Sequence, residues 1–323
     1  MEKTNIGALK RKQFVGGILL TLAVVSYVLI KLDWEATFQI FSQLNWAWLF
    51  TAFCVTIITY ILRTLRFKLL LNLNDPPFWH LFGITSLYGM YLYLFPAKTG
   101  EITFPIMLKN RLNVSLTEGA ASLIVARFFY IATISLFLPF ALSIFWNQLN
   151  NWIRYSALAF IGIVFIAGSV LIGSTRSKSV REKLFLLHVF RVQGLFRLAN
   201  GLENLFAEFN SIDQRGLYWQ LWALTIGIWG CIYTNFFFIL ISLGYHVTYF
   251  QMIVVSIVMV PMTLLPIQGF ANFGTHEIGW GVAFSLFGYS QSTALGIAIN
   301  SHIVLLFFML TLGLLGYLLL RRE

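Results

Sequence analysis

Two stretches of this chain place ionisable side chains beside proline and glycine within otherwise apolar sequence. The first reads FPAKTGEITFPI at positions 95–106, and the second reads PIQGFANFGTHE at positions 266–277. A lysine can bind an anionic phosphate, whereas a buried glutamate can pair with a cation or take up a proton. Because an ionisable group in an apolar environment is costly unless it is paired or hydrated, these residues are the first candidates for a binding site.

The candidate substrate-binding residues lie in these stretches and in the long apolar segments that follow them. We expect Lys98 and Arg127 to hold an anionic phosphate, and Glu101 and Glu277 to supply a counter-charge for a cationic headgroup or a proton-linked switch. Short helices that begin at Glu101 and Ile278 would direct their N-terminal dipoles to the same site, which suits a phosphate. The candidates are Lys98, Gly100, Glu101, Arg127, Gly274, Glu277 and His302, with Pro96, Pro266 and Gly269 as structural residues of the two stretches.

The ionisable candidates also have structural interpretations. Glu101 and Glu277 are placed to cap the short helices, where a carboxylate stabilises the helix dipole. Arg127 is equally consistent with a structural partner of Glu101, and His302 is more typical of an ordinary core histidine. His276 is more typical of an exposed or capping residue.

Motifs for catalysis, cofactors or metals are sparse. Residues 275–280 read THEIGW and begin like a zinc-protease helix, but Trp280 stands where the second histidine is required. The sequence has no P-loop, and Cys54 and Cys231 lie in apolar segments without metal-ligand spacing. We therefore expect no enzymatic activity, no cofactor and no metal site.

The composition of the chain is that of a membrane protein. Of the 323 residues, 59% are hydrophobic and only 11% are charged, which leaves far more apolar surface than one soluble core can bury. Lys and Arg, which give a net charge of +10, cluster beside apolar segments near residues 10–12, 63–68, 109–111, 176–197 and 321–322. This pattern indicates positively charged cytoplasmic loops rather than a nucleic-acid-binding surface.

Eight long apolar segments predict an all-α polytopic membrane protein. The first, at 14–30, follows a basic stretch without a small-residue cleavage pattern after it, so we expect an anchor rather than a signal peptide. The others are 46–65, 78–95, 120–145, 152–173, 217–243, 249–265 and 292–320, with a further short segment at 278–287.

Charge asymmetry predicts that two of the eight segments do not cross the membrane. The basic residues near 63–68 and 109–111 are both expected in the cytoplasm, so the chain from 78 to 109 must enter and leave by one face. By the same reasoning, the chain between 246 and 289 enters and leaves by the opposite face. We therefore expect about six full transmembrane helices and two opposed re-entrant hairpins.

The two hairpins belong to segments that look like one unit used twice. The Pro, Gly and Glu of 96–101 correspond to those of 266–277, and Arg127 and His302 each follow a serine by twelve residues. Because the units enter from opposite faces, the pattern predicts an inverted repeat, as in alternating-access transporters with a midplane site. The expected organisation is one transmembrane domain, 1–323, with repeat 1 at 46–145, repeat 2 at 217–320 and a cytoplasmic amphipathic linker at 174–216.

The linker has apolar residues at helical spacing, interspersed with Lys and Arg, over residues 177–209. This pattern is typical of an amphipathic helix on the inner leaflet. It is equally typical of a connecting helix packed on the transmembrane body.

The sequence around the hairpins resembles the lysylphosphatidylglycerol synthase transmembrane-region family, also called flippase-like domain proteins. The resemblance is carried by FPAKTGEITFPIMLKNRLNVSLTEGAASLIVARF and LLPIQGFANFGTHEIGWGVAFSLFGYSQSTAL and extends over nearly the whole chain. It implies movement of lipids or lipid-linked headgroups between leaflets, here without the synthase or glycosyltransferase domain that some members carry. Family members usually have Arg where Lys98 stands, and often an acidic residue near Arg127, where this chain has Ala126 and Tyr130.

These observations predict a lipid flippase or transporter in the cell (inner) membrane, a multi-pass protein with cytoplasmic N- and C-termini. Its expected partners are membrane lipids or lipid-linked headgroups and, as a further candidate, a lipid-modifying enzyme. One alternative is a non-transporting subunit that assists a lipid-modifying glycosyltransferase. Another alternative is a small-solute or ion channel.

Overall fold

The fold is all-helical over the residues that the structure describes. The computed structural model describes residues 26, 34–71, 73, 76–147, 151–176, 196–264 and 268–321. The regular elements in these ranges are helices, and none is a strand. The anchor expected at 14–30 lies outside the described residues apart from Ser26, and Pro266 lies outside them as well.

The described ranges contain α-helices interrupted by two 3-10 helices. The 3-10 helices are Pro96–Ile102 and Phe270–Asn272, and their tighter turns and poorer hydrogen bonds make each a local break. The α-helices are α1 (Trp34–Ser42), α2 (Trp46–Leu70), α3 (Phe78–Leu94), α4 (Thr103–Leu112), α5 (Leu116–Phe145), α6 (Asn151–Arg176), α7 (Phe196–Gln214), α8 (Tyr218–Ser242), α9 (Tyr249–Leu264), α10 (Thr275–Ser285) and α11 (Gln291–Arg321).

Five helices are long and apolar enough to cross a membrane, namely α2, α5, α6, α8 and α11. They coincide with five of the six full spans expected from the sequence, and the sixth is the anchor outside the described residues. Helix α2 continues to Leu70 rather than ending at Leu65. The added turn contains Arg66 and Lys68, whose positive charges are favourable at a helix C-terminus.

The helices before the two breaks are shorter than these spans. Helix α3 has 17 residues and α9 has 16, and the breaks are followed by α4 with 10 residues and α10 with 11. At 1.5 Å per residue, α3 and α9 are about 25 Å long, less than the roughly 30 Å of hydrocarbon core. The short helices begin at Thr103 and Thr275, not at Glu101 and Ile278, because Glu101 lies inside the first 3-10 helix.

The chain forms two compact units. The first unit contains the residues up to Tyr60, Phe82–Thr103 and the residues from Trp229 onwards, and the second contains Ile61–Leu81 and Phe104–Ile228. The breaks of both hairpins therefore lie in the first unit.

Close helix packing in the first unit depends on a small residue and a buried amide. A Cβ added to Gly316 of α11 would lie 2.7 Å from the carbonyl oxygen of Gly83 in α3, so only glycine permits this approach. Between α8 and α2, Asn235 Nδ2 donates hydrogen bonds to the Ala52 carbonyl oxygen at 2.7 Å and to Thr56 Oγ1 at 2.6 Å. These contacts hold α11 against α3 and α8 against α2.

In the second unit, helix α7 packs against α5 and α6. Phe209 of α7 is fully buried and meets Phe128 of α5 edge to face, with 5.3 Å between ring centroids. The described part of the expected linker thus buries its apolar side against neighbouring helices, as a connecting helix does. Residues 177–195 of the linker lie outside the described residues.

Candidate functional site

The two 3-10 helices, which lie where the sequence predicts the hairpin tips, contact one another within the first unit. The 3-10 helix Pro96–Ile102 packs against the 3-10 helix Phe270–Asn272. Both tips contain non-glycine residues in the left-handed region, since φ is 56° at Lys98, 51° at Ala271 and 62° at Asn272. Such a conformation costs about 1–2 kcal/mol per residue, so the surrounding packing must hold both breaks in place.

Gly100 allows the first tip to lie directly on the end of α3. A Cβ at this position would lie 2.3 Å from the carbonyl oxygen of Tyr91, a backbone atom that cannot move aside cheaply. Thr103 Oγ1 donates a hydrogen bond to the Gly100 carbonyl oxygen at 2.6 Å, and Thr99 Oγ1 donates to that of Pro96 at 2.8 Å. The threonine hydroxyls thereby satisfy two carbonyl groups at the break.

Glu277 lies in the first turn of α10 and uses both of its carboxylate oxygens. Oε2 accepts a hydrogen bond of 2.7 Å from the backbone N–H of Gly274, which satisfies a donor at the start of the helix. Gly274 has a φ of 90°, a conformation that favours glycine. Oε1 contacts Nδ1 of His302 in α11. Glu277 is 4% exposed and His302 is 1% exposed, so this pair is enclosed by protein.

The contact of Nε2 of His302 determines how many protons the pair of Glu277 and His302 carries. Nε2 lies 2.7 Å from the carbonyl oxygen of Ala271, and because a carbonyl can only accept, Nε2 carries a proton. Nδ1 of His302 and Glu277 then share one further proton, either as neutral histidine with a carboxylic acid or as imidazolium with a carboxylate. In both forms the pair has no net charge, which limits the cost of burying it.

A second histidine adjoins this pair. His276 Nε2 lies 3.3 Å from Ser301 Oγ, and the rings of His276 and His302 are 4.7 Å apart. Ser301 donates its own proton to the Ala298 carbonyl oxygen at 3.0 Å, so His276 is the donor in its contact with Ser301. At this separation two imidazolium rings would repel each other strongly in a low dielectric. His276 is only 6% exposed, so the prediction of an exposed residue is wrong.

Aromatic rings surround the two histidines. Trp280 stacks on His276 with 4.8 Å between centroids, and Phe273 and Tyr93 lie 4.6 Å and 5.8 Å from His302. Tyr93 belongs to α3, so the first hairpin contributes to the surroundings of the pair in the second. Within the described ranges, the side chains of His, Cys, Asp and Glu form no group of three that could hold a metal ion.

The remaining predicted site residues are more exposed or lie in other parts of the chain. Lys98 and Glu101 are half-buried on the first tip. Arg127 is half-buried on α5 in the second unit, whereas both tips belong to the first. Gly269 is buried and directly precedes the second 3-10 helix, and Pro266 lies outside the described residues.

Sequence reasoning missed three residues of this cluster, namely Tyr93, Ala271 and Ser301. The consecutive polar residues Asn300, Ser301 and His302 in the apolar helix α11 were a usable signal, because polar groups in a membrane helix need partners. Ala271 contributes its backbone carbonyl, which no side-chain type reveals. Tyr93 is one of thirteen tyrosines, and its position in the sequence does not distinguish it from the others.

A family model described as the lysylphosphatidylglycerol synthase TM region matches residues 14–313. The match includes both hairpins and the cluster around His302. It is a family of membrane domains linked to lipid modification or flipping. No curated protein and no solved structure gives a significant match to the chain.

Proposed function

Because this chain belongs to the lysylphosphatidylglycerol synthase TM region family, we propose that it is a transporter that moves a phospholipid or lipid-linked headgroup between membrane leaflets. In this proposal the headgroup crosses at a polar site near the two hairpin tips. The chain performs no covalent chemistry and needs no cofactor. Its partners are membrane lipids and, where the headgroup is enzymatically modified, a lipid-modifying enzyme.

The observation that carries this proposal is the contact between the two tips, next to the buried pair of Glu277 and His302. Backbone breaks leave N–H and C=O groups without intrahelical partners. Within a bilayer such breaks are tolerated only where protein or a water-filled cavity covers them. Two adjoining breaks therefore favour a polar path through a chain whose long helices are apolar, as headgroup transfer requires.

The proposed topology has six full transmembrane helices and two re-entrant hairpins that enter from opposite faces of the inner membrane. The lengths of α3 and α9 support it, because both are shorter than the hydrocarbon core is thick. The basic residues Lys109 and Arg111 in the last turn of α4 favour the cytoplasmic side for that end of the hairpin. Both chain termini are then cytoplasmic.

Cysteine labelling tests the proposed topology. Asn110 near the end of α4 and Ser290 just before α11 are both exposed. Single cysteines at these positions, in a chain lacking Cys54 and Cys231, should react with impermeant reagents added to opposite sides of the membrane. Labelling of both from the same side would show that the hairpins are not opposed.

We assign the polar residues complementary roles in transfer. Lys98 holds the phosphate of the headgroup, while Glu101 and Glu277 provide negative charge. Loss of the proton shared by Glu277 and His302 would leave a buried net negative charge, which is unfavourable in apolar surroundings. A cationic group can replace that proton, so binding of the headgroup and release of the proton are coupled.

The glycines act in this proposal through the backbone. Gly100 lets the first tip approach α3, and Gly274 provides the left-handed turn at the start of α10. Each glycine thereby positions the glutamate that follows it.

Reconstitution with labelled lipid tests the function directly. The purified protein is placed in liposomes that carry phospholipids with a fluorescent headgroup, and the fraction in the outer leaflet is followed by chemical quenching. We expect protein-dependent transfer that is faster with an imposed proton gradient. Protein-free liposomes and liposomes with the Glu277→Gln variant are the controls.

Other outcomes would favour other functions. No lipid transfer under any proton gradient or membrane potential would contradict the proposal and favour a non-transporting subunit of a lipid-modifying glycosyltransferase. Ion or solute flux without lipid transfer would favour a channel.

A further inference from the structure

The second unit contains an open groove between the C-terminal end of α2 and the start of α8. Its volume is about 610 Å³, within the range of pockets that bind small molecules. The described residues that line the groove include no acidic side chain. They include five leucines and two cations, namely Leu65, Leu69, Leu73, Leu217, Leu224, Lys68 and Arg215.

The two walls of the groove are joined by a buried polar contact. Arg66 lies in α2 between Leu65 and Lys68, and it is 5% exposed. Its Nη1 lies 3.4 Å from Oγ1 of Thr225, a fully buried residue of α8 that directly follows Leu224. This contact holds together the helices that form the walls.

The residues around the groove indicate the depth at which it opens in the membrane. Trp219, at the start of α8, is 78% exposed and lies between two lining residues, Leu217 and Gln220. Exposed tryptophans concentrate where the hydrocarbon meets the headgroups, and clusters of Lys and Arg mark the cytoplasmic side. The groove therefore opens at the headgroup level of the cytoplasmic leaflet.

Arg215 interacts with backbone and with an acidic side chain of α7. Arg215 Nε donates a hydrogen bond to the Ser211 carbonyl oxygen at 3.4 Å and interacts electrostatically with Glu208 of α7. Burial raises the pKa of the Glu208 carboxyl from 4.5 to about 7; Arg215 opposes this rise and Glu118 adds to it. With its pKa raised, Glu208 offsets the charge of Arg215 less than a fully ionised carboxylate would.

We propose that this groove binds an anionic phospholipid of the cytoplasmic leaflet, with its phosphate at Lys68 and Arg215 and an acyl chain along the leucines. The apolar walls favour an acyl chain, and the positive charge of the two cations favours an anionic headgroup. The proposal goes beyond the proposed function, because the groove holds a lipid of the surrounding leaflet and not the headgroup that is transferred. Binding is measurable without transport.

Lipid retention on the purified protein tests this site. The full chain is equilibrated in neutral detergent micelles with phosphatidylglycerol or phosphatidylcholine, and bound lipid is counted by native mass spectrometry. We expect phosphatidylglycerol to bind roughly tenfold or more tightly, the scale expected for two basic residues beside an anionic lipid. The double variant Lys68→Gln/Arg215→Gln should abolish this preference, whereas Lys109→Gln, which removes an exposed charge of the same unit, should leave it unchanged.

A second variant tests the apolar part of the groove without changing its charge. Leu69→Trp should fill the space along the leucines and lower binding of phosphatidylglycerol and phosphatidylcholine alike. Unchanged binding by this variant, or equal binding of the two lipids by the wild type, would overturn the proposal.

Displacement of phosphatidylglycerol by inorganic phosphate at equal concentration would also overturn it, in favour of a soluble phosphate ligand. Selective binding without lipid transfer in liposomes would contradict the proposed function only, and transfer without selective binding would contradict the groove only.

Discussion

The two hairpin tips share a motif of Pro, Gly and Glu but are stabilised in different ways. At the first tip, Gly100 lies against the backbone of α3, and its glutamate, Glu101, is half-buried within a 3-10 helix. At the second tip, two buried ionisable side chains hold the backbone, because Glu277 accepts a hydrogen bond from the Gly274 N–H and His302 donates one to the Ala271 carbonyl oxygen. The first tip therefore includes a close backbone approach and hydrogen bonds from the hydroxyls of Thr99 and Thr103, whereas the second depends on a carboxylate, an imidazole and the proton between them.

This difference shows that residues at matching positions of a sequence motif need not have equivalent contacts. Glu277 lies in the first turn of an α-helix, where one of its oxygens accepts a backbone N–H and the other contacts His302. Glu101 precedes its α-helix and does not lie in a helical first turn of that kind. Capping and site interpretations are thus compatible for Glu277, because its two oxygens make separate contacts.

The largest expected effect concerns steric fit at the first tip. Gly100→Ala places a Cβ 2.3 Å from the Tyr91 carbonyl oxygen and should lower the free energy of unfolding by about 3 kcal/mol or more. In the second hairpin, Gly281 of α10 has no atom within 4 Å of an added Cβ, so Gly281→Ala should gain about 0.5–1 kcal/mol. Thermal unfolding in detergent measures both variants. A harmless Gly100→Ala variant would show that the first tip does not depend on this contact.

The next effect concerns the buried carboxylate of the second tip. Glu277→Ala leaves the Gly274 N–H and His302 Nδ1 without their partner and should cost about 2–4 kcal/mol of unfolding free energy. Glu101→Ala, at a half-buried position, should cost less than about 1 kcal/mol. Unfolding midpoints compared at one pH measure the difference. Equal losses would mean that the two tips depend on their glutamates to the same extent.

Glu277→Gln should change the free energy of unfolding less than Glu277→Ala does. It should nevertheless strongly reduce lipid transfer. The glutamine oxygen can accept from Gly274, and its amide can donate to Nδ1 of His302, so stability should remain near wild type. The shared proton is lost, and lipid transfer should fall roughly tenfold or more, which corresponds to about 1.4 kcal/mol. Glu101→Gln should reduce transfer less, because the charge of a half-buried group is better screened.

The response of lipid transfer to a proton gradient distinguishes a role of Glu277 in proton exchange from a role in helix capping alone. Wild-type transfer should respond to the gradient, and transfer by Glu277→Gln should not. If Glu277→Gln folds and transports like the wild type, Glu277 acts only as a helix cap.

The smallest expected effect on the free energy of unfolding comes from replacing residues with a left-handed backbone conformation at the two tips. Lys98→Gly removes the steric cost of a φ of 56° and should gain about 1 kcal/mol of unfolding free energy. Asn272→Gly should gain less than about 0.5 kcal/mol, because asparagine tolerates a φ of 62° better than lysine does. Lys98→Ala is the control that removes the charge but keeps the strained backbone. A similar gain for Lys98→Ala and Lys98→Gly would attribute the effect to charge rather than to backbone conformation.

Much of the helical framework was predictable, because hydropathy and helix breakers act locally. The ends of α5, α6, α8 and α11 lie within a few residues of the apolar segments, and 3-10 helices occur at the proline- and glycine-containing stretches. The start of α4 at Thr103 was not predicted, because the 3-10 helix at the break includes Glu101. The groove between α2 and α8 was also not predictable, because Lys68 and Arg215 come from distant segments that become neighbours only in the folded chain.

The sequence alone determined the membrane class, the apolar helices, the two breaks and the family, because these follow from composition, local pattern and motif. Only the tertiary structure decided which polar groups meet. It joined Glu277 and His302, turned His276 inward onto Ser301, and assigned Arg127 to a different compact unit from the hairpin tips. The physical reason is that a buried polar group must be satisfied by whichever partner packing brings within hydrogen-bond distance, and that partner is set by how helices far apart in sequence pack together.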